Sequence, residues 1–268
     1  MDLSPAQLVL VLNAWPPELL LLLELVCCFG GVCLMGRLFG AAGLQVYVCL
    51  GVIAANLQVL KVVKFTLFEH PVALGTVVFA STYLCTDILA EFYGRKEASK
   101  AVWLGFASLL VFDLLMLLTL GFRPLSQAEA PPGLSWALGV HDHLAALFLP
   151  APALLVAGMT AYLCSQHHDV WLYQVLQRMT GGRHLWLRNN LSTMLSALLD
   201  NTIFSVLAWV VLAPEPVGVD ALVFTYILGT WYLRVLVAAL DTPFVYLARW
   251  LYSRQATAGG APEGTSPC

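Results

Sequence analysis

Charged residues are scarce in this sequence. Only 11% of its 268 residues are Asp, Glu, Lys or Arg, whereas 60% are hydrophobic, and the mean hydropathy is +0.81. A soluble domain carries about 25% charged residues, so a water-facing surface cannot be built from this composition. The composition therefore excludes an ordinary soluble domain and indicates that the protein is dissolved in a lipid bilayer.

Several motifs of enzymes and binding proteins are also missing. The net charge of −3 lacks the basic excess of a nucleic-acid-binding protein, and no GxxxxGK(S/T), GxSxG or HExxH motif occurs. The seven cysteines include no CxxC pair, so neither a zinc knuckle nor a disulfide framework is predicted. The histidine pairs His141/His143 and His167/His168 lack further ligands at useful spacing. We therefore expect no metal and no cofactor.

Seven apolar stretches are long enough to cross a bilayer, whose core of about 30 Å needs about 20 residues of helix. They are Leu19–Phe39, Leu44–Val63, Val72–Phe92, Ala101–Gly121, Leu144–Cys164, Leu191–Leu212 and Ala221–Leu251. Gly40 and Gly43 are predicted to break the first span from the second. The sequence predicts an all-α, polytopic membrane helix bundle of about seven transmembrane helices, a six-helix core plus an N-terminal helix. Residues 1–18 are expected to form an N-terminal segment, residues 19–251 the transmembrane domain, and residues 252–268 a disordered cytoplasmic tail.

Basic residues accumulate on one side of these spans, and such an excess marks the cytoplasmic side. With the N-terminus outside, nine lie inside: Arg37, Arg95, Lys96, Lys100, Arg178, Arg183, Arg188, Arg249 and Arg254. Three lie outside: Lys61, Lys64 and Arg123. We therefore expect an external N-terminus and a cytoplasmic C-terminus. The partly polar segment Asp169–Leu187 is predicted to be a cytoplasmic interfacial helix followed by a turn at Gly181-Gly182.

Ionisable side chains inside the spans are candidates for function, because each costs at least about 2.5–3.5 kcal/mol at mid-bilayer on insertion scales. The six acids Glu24, Asp87, Glu91, Asp113, Asp200 and Asp241 outnumber the single Arg234. Asp87 and Glu91 share a helix face, and so do Arg234 and Asp241. We expect these groups to surround an interior cavity, with Arg234 as a buried counter-charge. Glu24 and Asp113 are equally well explained by hydrogen bonds between helices.

Polar and aromatic neighbours extend this candidate site. Tyr83 precedes Asp87 by four residues, Trp231 precedes Arg234 by three, and Asn201 follows Asp200. Aromatic residues at helical spacing serve packing more often than ligand binding, but beside buried carboxylates they can stack a planar heterocycle. The predicted substrate-binding residues are Asn56, Tyr83, Asp87, Glu91, Asp200, Asn201, Trp231, Arg234 and Asp241.

One segment carries a recognisable pattern. Residues Thr86–Ala98 read TDILAEFYGRKEA, and NLQVLK at Asn56–Lys61, RNNLST and DNTIF around Arg188–Phe204, and LDTPFVYL at Leu240–Leu247 accompany it. Together they resemble the queuosine precursor transporter family, also called the vitamin uptake transporter family, over roughly residues 35–252. The sequence departs from the family in its long 122–143 loop and in the neutral Ala197 and Leu198.

The resemblance implies a non-enzymatic transporter of the bacterial inner membrane. It would import 7-deazaguanine bases, such as 7-cyano-7-deazaguanine and 7-aminomethyl-7-deazaguanine, into the cytoplasm. Its expected partners are this small molecule and the lipid bilayer, with no nucleic acid, while a homo-oligomer or an energising partner stays open. The alternatives are a substrate-capture subunit for another vitamin-like heterocycle that works with a separate energising module, an intramembrane enzyme, and a structural membrane protein.

Overall fold

The computed structural model of the chain describes residues 4–66, 72–131, 133–149, 152–213 and 215–258. Its α-helices are α1 (Pro5–Asn13), α2 (Pro17–Gln58), α3 (Thr76–Phe92), α4 (Arg95–Leu120), α5 (Val140–Phe148), α6 (Pro152–Met179), α7 (Leu185–Val206) and α8 (Thr230–Ala258). A π-helical stretch, Leu207–Val211, extends α7, and another, Ala221–Gly229, leads into α8. A 3₁₀ turn spans Ser135–Ala137, and the two-residue strands β1 (Val62–Val63) and β2 (Val72–Ala73) pair antiparallel.

The described residues are overwhelmingly helical, and this confirms an all-α protein. Four helical segments are long and apolar enough to cross a membrane: Pro17–Gln58, Arg95–Leu120, Leu185–Val211 and Ala221–Leu251. The third predicted span corresponds to α3, which has 17 residues. The fifth, Leu144–Cys164, does not form one helix, because α5 ends at Phe148 and α6, which carries several polar residues, begins at Pro152. The count of seven spans stays a prediction.

Helix α2 covers the first two predicted spans, and Gly40 breaks it between them. Gly40 adopts φ 60° and ψ −140°, a backbone conformation that residues with a Cβ rarely reach. A Cβ on Gly40 would lie 3.3 Å from the Tyr93 hydroxyl, which is a tight contact. The predicted break at Gly40 is therefore confirmed, and its positive φ is what favours glycine there.

Helix α3 forms the centre of the bundle. Nearly every residue from Val77 to Ala90 is buried, including the polar ones, because α2, α4, α6, α7 and α8 all pack against it. The outer faces of α2, α4 and α8 instead expose large apolar side chains, such as Leu50, Leu114 and Trp250. An apolar exterior around a core with polar residues is the arrangement expected of a protein in lipid.

The prediction of an interfacial helix at Asp169–Leu187 is wrong. Helix α6 continues without interruption from Pro152 to Met179, and Asp169 is fully buried inside the bundle. Asp169, Tyr173 and Gln177 contact other helices, whereas Arg178 and Arg183 are exposed. The polarity of the helical part of this segment therefore serves the core. The predicted turn at Gly181-Gly182 is confirmed, with φ values of 57° and 75°.

The ends of the chain differ in detail from the predicted boundaries. The N-terminal segment contains α1, whose N-cap Ser4 and third residue Gln7 form a reciprocal capping box. Helix α8 continues to Ala258, past the predicted start of the tail at residue 252. The rest of the predicted tail, residues 259–268, lies outside the described residues.

Candidate functional site

Buried polar residues on α3, α6, α7 and α8 form three successive layers along the bundle. We call them the Asp200 layer, the acidic layer and the Glu91 layer. Tyr83, Asp87 and Glu91 contribute to the three layers in turn from α3, each four residues from the last. Four residues return to the same helix face and advance it by about 6 Å. On α6 the same spacing brings Ser165, Asp169 and Tyr173 into the three layers.

The Asp200 layer contains a buried ion pair. Arg234 Nη1 lies 2.5 Å from Asp200 Oδ2, and the Ser165 hydroxyl donates to Asp200 Oδ1 at 3.0 Å. The Tyr83 hydroxyl in turn donates to Ser165 at 3.0 Å. The Arg234 guanidinium stacks over the Phe79 ring, 5.2 Å from its centroid. Arg234 is thus the counter-charge of Asp200, and a carboxylate and a guanidinium stand side by side next to two aromatic rings.

A narrow cleft opens at this layer. It has room for about one water molecule, so a planar base can enter only when the helices move apart. The lining residues are Thr76, Phe79, Ala80, Tyr83, Thr193, Ala197 and Arg234. The structure therefore represents a closed bundle with its aromatic and charged groups already gathered.

The acidic layer consists of Asp87 from α3, Asp169 from α6, Asn189 from α7 and Asp241 from α8, all fully buried. Asn189 Nδ2 donates to Asp241 Oδ1 at 2.7 Å. Asp87 and Asp169 face each other. The Ser192 and Ser196 hydroxyls of α7 lie beside Asp169, whereas neither carboxyl oxygen of Asp87 has a hydrogen-bond donor. None of these residues forms an ion pair within the described part of the chain. The layer is therefore rich in acceptors and poor in donors.

The Glu91 layer joins three helices through a second buried ion pair. Arg188 on α7 is fully buried and pairs with Glu91 at the end of α3. Glu91 Oε2 also accepts from the Tyr173 hydroxyl at 3.0 Å and from Gln177 Nε2 at 3.1 Å, both on α6. Arg188 Nη1 donates to the carbonyl oxygen of Gly182 at 3.0 Å, in the turn between α6 and α7. Glu91 is thus fully engaged by protein groups in this closed state.

Comparison with known proteins identifies the family. Residues 73–248, more than half of the chain, match the family model described as "Putative vitamin uptake transporter". The chain belongs to this family. It is also 35% identical to the "Probable queuosine precursor transporter" of Bacillus subtilis (strain 168) over 212 aligned residues. The alignment covers 79% of this chain and 85% of that protein. No solved structure matches the chain.

The family assignment agrees with the fold and with the resemblance carried by TDILAEFYGRKEA, which is confirmed. The chain is a multi-pass membrane transporter, as its family and its apolar helices indicate together. The matched region extends from the strand before α3 into α8, so it contains all three polar layers of the transporter.

Three predicted site residues of the transporter lie beside the layers rather than in them. Asn56 donates to the Val52 carbonyl of its own helix at 2.8 Å. Asn201 bonds the Thr230 hydroxyl at 2.9 Å and so ties α7 to α8. The Trp231 indole donates to the Met194 carbonyl at 2.8 Å. Their contacts in this closed state are with the protein, and their predicted contact with substrate stays a prediction.

The two acids with a structural alternative also differ from each other. Glu24 Oε1 accepts from Gln58 Nε2 at 2.8 Å, a bond between the two ends of α2. Asp113 lies half-buried on α4, and its Oδ2 has no hydrogen-bond partner. Neither acid contributes to the three layers, and Asp113 is therefore an acid of the apolar helices that lies outside the site.

Several site residues escaped the sequence analysis. They are Ser165 and Asp169 on α6 and Arg188, Asn189, Ser192 and Ser196 on α7, all fully buried. A signal was present, because Ser192, Ser196 and Asp200 recur every four residues, as do Ser165, Asp169 and Tyr173. The sequence instead assigns Asp169 to an interfacial helix and Arg188 to the cytoplasmic surface. For this reason the buried polar faces of α6 and α7 are not predicted.

Proposed function

We propose that this transporter imports 7-deazaguanine precursors of queuosine, such as 7-cyano-7-deazaguanine and 7-aminomethyl-7-deazaguanine, into the cytoplasm. The proposal is supported by the similarity to the Bacillus subtilis protein named as a probable queuosine precursor transporter. The observation that carries it is the Asp200–Arg234 pair next to Phe79 and Tyr83.

The chemistry of this pair suits a guanine-like edge. Such an edge presents a ring N–H and an amino group side by side, followed by a carbonyl oxygen. A carboxylate accepts the two N–H bonds in bidentate fashion, and a neighbouring guanidinium donates to the carbonyl. Asp200 supplies the first group and Arg234 the second. Aromatic rings stack planar bases, so Phe79 and Tyr83 suit the faces of the ligand.

We also propose the membrane arrangement of the transporter. Residues 19–251 form the transmembrane domain, with seven spans provided by the two halves of α2 on either side of Gly40 and by α3, α4, α6, α7 and α8. The N-terminus lies outside and the C-terminus in the cytoplasm of a bacterial cell, because the basic residues cluster accordingly.

Cysteine labelling tests this orientation. In a background without the seven native cysteines, Lys96→Cys is expected to resist a membrane-impermeant thiol reagent in intact cells and to react after permeabilisation. Lys61→Cys is the matched control on the other side and should react in intact cells. Both side chains are exposed, so access is decided by the membrane alone. The reverse labelling pattern would overturn the orientation.

Queuosine content of tRNA tests the function. In a bacterial strain that can neither make nor import the precursors, this gene is expected to restore queuosine in tRNA on limiting external 7-cyano-7-deazaguanine. The Asp200→Ala variant should fail to do so, whereas Asp113→Asn, on α4 and outside the layers, should succeed. Equal queuosine content with and without the gene, at verified membrane expression, would refute the proposed substrate.

A further inference from the structure

The acidic layer has more acceptors than donors, and this imbalance needs a ligand. Four buried oxygen atoms have no hydrogen-bond partner: both carboxyl oxygens of Asp87, Oδ2 of Asp241 and Oδ1 of Asn189. Asp169 has the hydroxyls of Ser192 and Ser196 beside it but no cation. Asn189 gives independent evidence that the layer lacks donors, because its side chain is an amide and not an acid. Its amide nitrogen is fixed by the bond to Asp241 at 2.7 Å, so its unpartnered oxygen belongs to the same layer.

The protein itself offers no cation to this layer. The two arginines nearby, the buried Arg188 and the partly buried Arg234, are committed to Glu91 and Asp200, respectively. An isolated carboxylate in an apolar interior is so costly that the group takes up a proton instead. Moreover, Asp87 and Asp169 face each other, and two acceptors can bond only through a proton that one of them carries.

A metal ion fits the layer poorly. No group of three His, Cys, Asp or Glu side chains among the described residues is arranged to hold one. A proton, by contrast, needs only one carboxyl and one facing acceptor, and Asp87 and Asp169 provide both. The missing donors are therefore hydrogen atoms on the carboxyl groups.

We propose that the acidic layer binds the protons that travel with the substrate, so that the transporter is a proton symporter. This inference rests on the proposed function and assigns Asp87 and Asp241 to proton transport instead of base recognition. In a bundle open to the outside, each carboxylate is hydrated and takes up one proton. The bundle can then close around neutral acids, and opening to the cytoplasm releases the protons.

Three helices connect the Asp200 layer with the acidic layer, and this connection allows substrate binding to be coupled to proton binding. Each of α3, α6 and α8 carries one residue of the Asp200 layer and one acid: Tyr83 and Asp87, Ser165 and Asp169, Arg234 and Asp241. The same helix movement therefore closes the cleft and buries the acids. The titratable or charged groups around the acidic layer are Tyr83 and Glu91 on α3, His168 and Tyr173 on α6, Arg188 and Asp200 on α7, and Arg234 on α8.

The test uses the purified full chain in liposomes with a pH-sensitive dye inside and no other protein. The probe is labelled 7-cyano-7-deazaguanine, because it carries no ammonium group whose own proton would confuse the signal. With the outside about one pH unit more acidic, we expect uptake to acidify the lumen, and a protonophore to reduce accumulation by about tenfold for one coupled proton.

Two variants separate proton transport from folding. Asp169→Asn supplies amide donors to the unpaired acceptors, so the bundle should fold, and exchange of labelled for unlabelled substrate should be impaired less than gradient-driven accumulation. Because the amide cannot release a proton, accumulation driven by a gradient of about one pH unit should fall by about tenfold. Asp113→Asn is the control and should accumulate substrate normally.

The outcomes distinguish the two proposals. Three results would each overturn proton symport without affecting the proposed substrate. They are accumulation that is unaffected by the protonophore, a lumen pH that stays constant during uptake, and a requirement for a sodium gradient. Normal gradient-driven accumulation in Asp169→Asn would do the same. If the unaltered protein neither binds nor exchanges the base, the proposed function itself is wrong.

Discussion

Replacement of Arg188 by alanine is expected to destabilise the transporter by about 3–5 kcal/mol, since removing one member of a buried ion pair leaves the other charge uncompensated. Arg188 is fully buried, and Glu91 exposes only 13% of its side chain. The guanidinium also bonds the Tyr173 hydroxyl and the backbone carbonyls of Gly182 and Arg183. Its loss therefore loosens the turn between α6 and α7 as well as the contact with α3.

Thermal unfolding of the purified protein in detergent measures this effect, with monodispersity as a second readout. Arg183→Ala is the matched control, because the Arg183 side chain is exposed and only its carbonyl is used. An exposed substitution of this kind changes stability by at most about 0.5 kcal/mol. If Arg188→Ala and Arg183→Ala unfold at the same temperature, the ion pair does not stabilise the bundle.

A double variant distinguishes the charge from the lost bonds. Glu91→Gln combined with Arg188→Met removes both charges and keeps most of the volume. Buried pairs replaced together by neutral groups are often tolerated far better than a single removal. We expect the double variant to be more stable than Arg188→Ala, and the opposite order would show that the hydrogen bonds matter more than the charge balance.

The sequence predicted the elements that depend on local signals. Gly40 predicts a break after the first apolar span, because glycine adopts backbone conformations that other residues do not reach readily. The structure has the break at that residue. The spacing of Asp87 and Glu91 placed both on one face of α3, where they are found. These features follow from helix geometry alone, and need no knowledge of neighbouring helices.

Features that depend on packing could not be predicted in the same way. The segment from Asp169 to Gln177 has the composition of an interfacial helix, and only its contacts with Glu91 and Arg188 reveal that it is buried. Likewise, the sequence alone places Arg188 among the basic residues of the cytoplasmic side. Once it is buried, the core holds two ion pairs instead of one arginine among six acids, and the unpaired acids are confined to a single layer.

The choice of partner was also beyond the sequence. Arg234 and Asp241 lie on one face of α8 at a spacing of seven residues, yet Arg234 pairs with Asp200 on α7 and Asp241 with Asn189. Side chains seven residues apart are about 10 Å apart along the helix axis, so they share a face without touching. The neighbouring helix therefore decides which acid is neutralised.

Asp200→Asn is expected to weaken binding of 7-cyano-7-deazaguanine about tenfold to a hundredfold, because hydrogen bonds to a charged group contribute about 1.5–3 kcal/mol. The amide keeps the shape of the carboxyl but loses its charge and one acceptor. Affinity of the purified variant measures the loss, and Asp113→Asn, a membrane acid outside the layers, should bind normally.

A structural loss must be separated from a loss of recognition, because Asp200→Asn also leaves Arg234 without its counter-charge. A second ligand provides the separation. A 7-deazahypoxanthine analogue lacks the amino group that Asp200 would accept, so the native protein should bind it more weakly than the amino-bearing base. If Asp200 receives that amino group, Asp200→Asn should bind both ligands with similar affinity. An unchanged preference for the amino-bearing base in the variant would remove Asp200 from the recognition site and leave the ion pair with a structural role.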